Sequence, residues 1–376
     1  MRLFRPTVIF AALMLVAGAP SLAGEAGTVE GFSADEQARI VEIVEKGLAE
    51  QRQPGLNVGI WIPGRGTFLR AFGNANIETG AAMDLADHVR VASITKTFVA
   101  VAVLRLVDQG KLDLDDTLAS YIEGVPNGER ITIRNLLGMT SGVYNFTNDD
   151  AFVNAWTDNP LMAFRREDVL AILERHEPDF APGAKVVYCD TNYILLGIIL
   201  EKVAGKPVQE LIATEIITTL GLTETSFPTT PAIPEPFAHG YYAGEDGKGE
   251  LRNYTATNPE VAWTAGAMIS TLDDLRIWAK AIATGALLTP KTHGEQMRFG
   301  SLASGQIDIG YGLGVADFGG LIGHNGAIFG YTTAMFYVPA ADATIVIAGN
   351  QSSNSSGAAT AIAYALAKHL LPDLIQ

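Results

Sequence analysis

The stretch Ser93-Ile94-Thr95-Lys96-Thr97-Phe98-Val99-Ala100-Val101-Ala102-Val103-Leu104-Arg105-Leu106-Val107-Asp108-Gln109-Gly110 decides how this chain is read. A serine with a lysine one helical turn later places a hydroxyl and an ammonium on the same face. From Thr97 to Gln109 the residues are apolar on nearly every side. That predicts a buried helix through the centre of a domain, with Gly110 as its stop. Ser93 then stands at the amino end, where the backbone dipole favours developing negative charge. Serine at such a place is often only an N-cap. A lysine on an apolar helix needs a further reason. Held away from water, it can lose or share its proton and activate the neighbouring hydroxyl.

The chain has 376 residues, enough to bury a sizeable core. Residues 1–23 read as a secretory signal: Arg2 and Arg5, then the apolar run Val8 to Ala17, then Ser21-Leu22-Ala23 before Gly24. That run is short for a bilayer, so the expectation is an exported chain, periplasmic or secreted, with no stable membrane anchor after cleavage. Cys189 is the only cysteine, which excludes an intrachain disulfide. The formal charge is -15 with no basic stripe, so nucleic acid is not an expected partner. The six histidines are scattered and no cysteine cluster exists, so neither a metal nor another cofactor is expected. A phosphate-binding Gly-x-x-x-x-Gly-Lys-Ser/Thr loop and a Gly-x-Ser-x-Gly elbow are both absent.

Ser33-Ala34-Asp35-Glu36 is a capping box that predicts an amphipathic helix to about Gln51. Leu56–Ile62 and Thr67–Phe72 read as a hairpin around Pro63-Gly64-Arg65-Gly66. Thr132–Leu137, Arg166–Arg175, Asn192–Val203 and Val208–Thr218 are helical candidates. Residues 225–250, rich in Pro and Gly, read as a surface excursion. Strand character returns over Thr332–Val338 and Thr344–Ala348, before a last helix from about Ser356 to Leu371. This pattern predicts an α/β fold with a sheet built from both ends of the chain (about 24–92 and 260–376) and an inserted helical region (about 93–259).

Two more segments carry polar groups that could join Ser93 and Lys96. Tyr188-Cys189-Asp190-Thr191-Asn192-Tyr193 precedes a buried helix and either caps it or offers Tyr188 as a base or proton shuttle. A lysine cation nearby would lower the tyrosine's pKa from about 10 toward the working range. Gly323-His324-Asn325-Gly326-Ala327 opens the late β-rich region, either as a tight turn or as a site edge. In the second case Gly326 lets substrate approach the backbone. The N–H groups of Ser93 and Ala327 would form an oxyanion hole, and His324 would add positive charge without being the base. Cys189 reads as a small packing residue.

In this order the three segments resemble the Ser-x-x-Lys, Tyr-x-Asn and Lys/His-x-Gly pattern of the serine β-lactamase-like and penicillin-binding family. The resemblance continues through Val107–Asp115, Thr140-Ser141-Gly142, Asn192–Gly197, Trp263–Ala267 and Gly310–Gly314, nearly the whole mature chain. It implies an antiparallel sheet flanked by helices and a covalent serine hydrolase. Ser93 would be the acylated nucleophile, Lys96 the group that assists its deprotonation, and Tyr188 the proton shuttle. His324 stands at the Lys/His place. Trp263 would be an aromatic wall beside the substrate, and Asp190, Asn325 and Gly326 would border it. The implied partner is a small molecule or short peptide: a peptidoglycan-like peptide, an ester or a β-lactam.

Asp190 replaces the pattern's asparagine, and an ionised aspartate can only accept hydrogen bonds. It would also hold Lys96 protonated unless burial keeps the acid neutral. Asn325 and Ala327 replace frequent threonines. Gly312-Leu313-Gly314-Val315-Ala316 lacks the arginine that carboxypeptidases of the family carry there, and with it the guanidinium fork suited to a carboxylate. Three readings therefore stand: a D-alanyl-D-alanine carboxypeptidase of the cell envelope, an esterase or small-amide hydrolase with weak β-lactamase activity at most, and a catalytically silent penicillin-binding protein.

Overall fold

The computed structural model describes residues 27–244, 248–302, 309–352 and 357–376, so the leader expected over 1–23 lies outside the described residues. The expected hairpin forms β2 (Gly55–Ile62) and β3 (Gly66–Asn76), with β1 (Val29–Glu30) and β4 (Ala81–Ala82) paired on β3. The remaining strands come from the other end of the chain: β5 (Gly300–Leu302), β6 (Ile309–Tyr311), β7 (Ala316–Asp317), β8 (Ile322–Ile328), β9 (Tyr331–Val338) and β10 (Ala343–Gly349). Together they make one antiparallel sheet of 10 strands in the order β1-β3-β2-β10-β9-β8-β7-β6-β5, with β4 at the side. β10 lies between β2 and β9, so the two ends of the chain close one sheet.

Six helices position the site: α1 (Ala34–Glu50), α2 (Thr95–Asp108), α3 (Asp150–Asp158), α4 (Thr191–Ala204), α5 (Leu272–Thr284) and α6 (Ala358–Leu370). Ser33 and Glu36 form the expected capping box of α1. β2, β9 and β10 are buried along their whole lengths, which requires cover on both faces of the sheet. That cover comes from α5, packed on β2, β8, β9 and β10, and from α6, packed on β9 and β10 and backed by α1. α2 is buried from Thr95 to Leu104, as its composition demands, and packs on α4 in the helical region. Phe98 stacks on Trp278 of α5 at 4.1 Å, and the Trp278 indole donates to Thr97 Oγ1 at 2.7 Å. The helix that carries Lys96 is thereby locked between the two regions. Truncating any of its large buried residues to alanine would remove about 2–5 kcal/mol.

Three expectations change. Gly323–Ala327 is neither a turn nor a strand's approach; it is the body of β8, paired in register with β9 from Ile322↔Tyr337 to Ile328↔Tyr331. The glycines hid a strand whose partners leave no room for side chains: a Cβ on Gly323 would lie 2.0 Å from the Met335 carbonyl oxygen. Residues 225–250 are no simple surface excursion, because Tyr241 and Tyr242 are buried and pair in parallel with Gln351 and Ser352. Two elements near the site, α3 and α5, were not among the expected helices. Each is announced by a residue suited to N-capping, Asp149 and Thr271, and for α3 the Asp149 carboxylate accepts from Phe152 N–H.

Candidate active site

Ser93 sits in a single tight turn, Ala92–Ile94, that feeds directly into α2. Ala92 holds φ 49°, the left-handed region that a residue with a Cβ avoids. Its neighbours impose that conformation. Val91 N–H donates to Met268 O at 2.9 Å, and Val91 O accepts from Thr333 Oγ1 at 3.0 Å. Thr95 Oγ1 accepts from Met268 N–H at 3.0 Å. The turn is thus pinned between the 267–268 segment and strands β8 and β9.

Lys96 is fully buried, and its ammonium donates to Ser93 Oγ at 3.0 Å, Asp190 Oδ1 at 2.7 Å and Ala265 O at 2.7 Å. Three donors meet three acceptors, the satisfied state of a protonated lysine. Burial pulls its pKa down, but the Asp190 carboxylate and the nearby Tyr188 outweigh it, and the net direction is up. The expectation that Asp190 keeps Lys96 charged therefore holds. Asp190 precedes α4, and Thr147 Oγ1 donates to its second oxygen, Oδ2, at 3.3 Å.

Tyr188 departs from expectation. Its ring lies 5.0 Å from Lys96 Nζ, yet its pKa is raised, because burial of the phenol outweighs the pull of the cation. Its buried hydroxyl makes no hydrogen bond of ordinary geometry. Tyr188 is thus a neutral hydroxyl facing Ser93 and Lys96, not a phenolate. His324 also departs: burial drives its pKa down to about 4, so it carries no charge at neutral pH. Its Nδ1 contacts the Asn325 carbonyl, which can only accept, so that nitrogen bears the proton. Nε2, 3.2 Å from Tyr311 Oη, then accepts from the Tyr311 hydroxyl.

Ser93 and Ala327 border both clefts that open at the site, together with Asp190. Gly326 and Asn325 line one of these clefts, and Gly326 has a further role. A Cβ there would lie 2.4 Å from Val91 O and 3.0 Å from Ala92 Cβ, so the glycine lets the Ser93 turn seat against β8. The Asn325 amide turns away to donate to Thr360 Oγ1 on α6 at 3.0 Å. Trp263 is not a wall of the site. It is buried at φ 34°, its ring under the Arg166 guanidinium at 3.9 Å and against Gly197 of α4. Its stretch instead contributes the Ala265 carbonyl that holds Lys96. Cys189 packs as expected, with its thiol pushed up to about 12 by burial.

The aromatic wall comes from residues not anticipated. A cleft of about 370 Å³ beside Ser93 is lined by Phe146, Phe152, Trp156, Tyr242 and Phe329. Phe329 lies 4.5 Å from Trp156 and 4.8 Å from Tyr242. The crowding of Tyr144, Phe146, Phe152 and Trp156 in one segment was the available signal. A second cleft of about 300 Å³, on the Tyr188 side, is lined by Tyr311, Phe318, His324, Leu302 and Ile309. Among the described lining residues of both clefts there is no lysine or arginine.

The Beta-lactamase family model matches residues 40–369 of this chain. "Protein flp" of Staphylococcus aureus (strain N315) is 29% identical over 257 residues, 65% of this chain and 49% of its own length. "Putative penicillin-binding protein PbpX" of Bacillus subtilis (strain 168) is 25% identical over 267 residues, 70% of this chain and 62% of its own. The chain thus spans about half the length of the first of these relatives, 49%. Among solved structures, a D-stereospecific amidohydrolase from Streptomyces sp. superposes with TM-score 0.78 and 29% identity, over 89% of this chain and 98% of the other. A D-amino acid amidase from Ochrobactrum anthropi SV3 shares the fold, with TM-score 0.79 and 22% identity over 90% and 99% of the two chains.

Proposed function

This chain belongs to the Beta-lactamase family, and from that premise we propose that it is an exported serine hydrolase that cleaves small amides or esters through an acyl-enzyme on Ser93. One observation carries the reading: a buried lysine ammonium 3.0 Å from a serine hydroxyl that opens onto two clefts. Acylation begins when Lys96 has given up a proton. Its neutral amine then takes the Ser93 hydroxyl proton as Oγ bonds to the substrate carbonyl carbon, and the carbonyl π pair moves to oxygen. The N–H groups of Ser93 and Ala327 receive that oxyanion, a contribution of about 3–4 kcal/mol per donor in acyl transfer. When the carbonyl re-forms, the leaving group departs with a proton passed from Lys96 through the Tyr188 hydroxyl. Water clears the acyl group by the reverse proton path.

Small amides and esters fit better than a D-alanyl-D-alanine terminus. A terminal carboxylate, or that of a β-lactam, wants a guanidinium or ammonium partner, and among the described residues the clefts present only the Asp190 carboxylate and neutral groups. The solved amidohydrolase from Streptomyces points the same way. The test is to treat the protein and Ser93→Ala with a fluorophosphonate, then assay both on a short aryl ester, a D-alanyl-D-alanine peptide and a chromogenic cephalosporin. Labelling of Ser93 with ester cleavage abolished in the variant is the expected result. Rapid release of D-alanine would restore the carboxypeptidase reading. Absence of labelling would leave the silent penicillin-binding protein.

A further inference from the structure

Asp190 is the feature that the proposed reaction does not require. A carboxylate beside the general base opposes its deprotonation. Yet the group is half-buried with its side chain 21% exposed, and it borders both clefts while Lys96 behind it is sealed. Only Oδ1 is committed to Lys96. Oδ2 receives a single neutral hydrogen bond, from Thr147 Oγ1 at 3.3 Å, and a carboxylate oxygen has room for more. Among the described residues the other titratable groups around it are Tyr188, Cys189, Tyr311 and His324. The tyrosines and cysteine are held neutral by raised pKa values, and His324 is neutral by a lowered one. Lys96 is the only ion-pair partner of Asp190 among the described residues. Among the described residues the cleft rim therefore offers one carboxylate acceptor next to an aromatic box, on a chain of net charge -15.

Resting on the hydrolase reading above, we propose that Asp190 binds the protonated amine of the substrate, so that the substrate class is α-amino acid amides or esters with a large apolar side chain seated among Phe146, Phe152, Trp156 and Phe329. Binding also explains how Lys96 becomes a base. An ammonium on Oδ2 would lie about 4–6 Å from Lys96 Nζ, close enough for a like charge to disfavour the lysine's protonated form. It also takes over part of the carboxylate charge that holds that proton. One Lys96 proton leaves to solvent, and the neutral amine is then ready for the Ser93 hydroxyl. A substrate without the amine leaves the Lys96–Asp190 pair intact and the base occupied. A free amino acid derivative and the first residue of a peptide present this same chemistry.

The experiment compares phenylalanine para-nitroanilide, as both enantiomers, with hydrocinnamic para-nitroanilide, which differs only in lacking the amine. In the wild type the better enantiomer should be preferred by about 10- to 100-fold in kcat/KM, the size of a charge-assisted hydrogen bond. The acid limb of kcat should also lie at lower pH for the amine substrate. In Asp190→Asn the ratio between the two substrates should fall to near one, whatever happens to the absolute rates. Phenylalanine amide and a phenylalanyl peptide, run side by side, separate the two sources, and turnover of either should show the same dependence on Asp190. Equal wild-type rates on the two anilides would overturn the amine site while leaving a Ser93 hydrolase in place. A preference that survives Asp190→Asn would do the same. If no anilide or ester is turned over and Ser93 takes no fluorophosphonate, the hydrolase reading falls and the amine site with it.

Discussion

Replacing Asp190 with asparagine should move the acid limb of kcat/KM for a plain aryl ester to lower pH. Lys96 Nζ has three acceptors, and only Asp190, at 2.7 Å, is charged. Burial, the largest influence on Lys96, pulls its pKa down and is overcome by that carboxylate. Without the carboxylate burial prevails. An adjacent opposite charge is worth about 1–3 pH units, so the neutral fraction of Lys96 near neutrality should rise about 10- to 1000-fold. The ester rate should follow until alignment of the amine becomes limiting. Stability offers a second readout. In the wild type the raised pKa of Lys96 contributes stability that is fully present below the ordinary lysine range and lost only as pH rises through the folded value. In the variant the buried lysine must shed its proton, so folding grows easier as pH rises, by up to about 1.4 kcal/mol per pH unit. A pH–rate profile on the ester and urea melts at neutral and alkaline pH measure both. An acid limb that stays put, or moves to higher pH, would refute the account of Asp190 as the group that keeps the base occupied.

Gly326→Ala should destabilise by about 1–3 kcal/mol, because the new Cβ would lie 2.4 Å from Val91 O and 2.6 Å from Thr333 Oγ1. By prising the Ser93 turn off β8 it should also slow fluorophosphonate labelling at least about tenfold, and unchanged labelling would show that the turn and strand are not coupled. Trp156→Ala opens the aromatic cleft and should lower the preference for phenylacyl over acetyl esters by about tenfold with little effect on acetyl ester turnover, read as the ratio of kcat/KM values. His324 has its pKa lowered to about 4, so the unfolded chain binds the extra proton between there and the ordinary histidine range. Its contribution is complete above about pH 6.5 and is lost as pH falls toward 4, about 3 kcal/mol in all. His324→Gln should flatten that part of the Tm-versus-pH curve, and an unchanged slope would place the titration elsewhere.

Much of the architecture was legible because it rests on local chemistry. The capping box at Ser33, the turn at Pro63–Gly66 and the apolar length of Thr97–Gln109 each specify an element through neighbours in the chain. β8 was not legible, because Gly323 and Gly326 weaken a strand signal while answering to contacts from β9 and from the Ser93 turn. The aromatic cleft drew its residues from 146–156, 242 and 329, which no periodicity connects.

The candidate chemistry divides in the same way. The spacing of Ser93 and Lys96 is one helical turn, so the pairing of hydroxyl and amine follows from the sequence alone. Whether neighbouring groups carry charge does not, because a pKa depends on what surrounds the group on every side. Tyr188 beside a lysine promised a lowered pKa, and burial raised it. His324 promised a cation, and burial left it neutral. Trp263 promised a wall, and the packing of α4 turned it inward. The order of residues along this chain determined which hydroxyl and which amine are paired, since that needs only a single helical turn. The tertiary structure alone decided which groups are charged and which aromatic residues face the cleft, since desolvation and facing are set by contacts between segments remote in sequence.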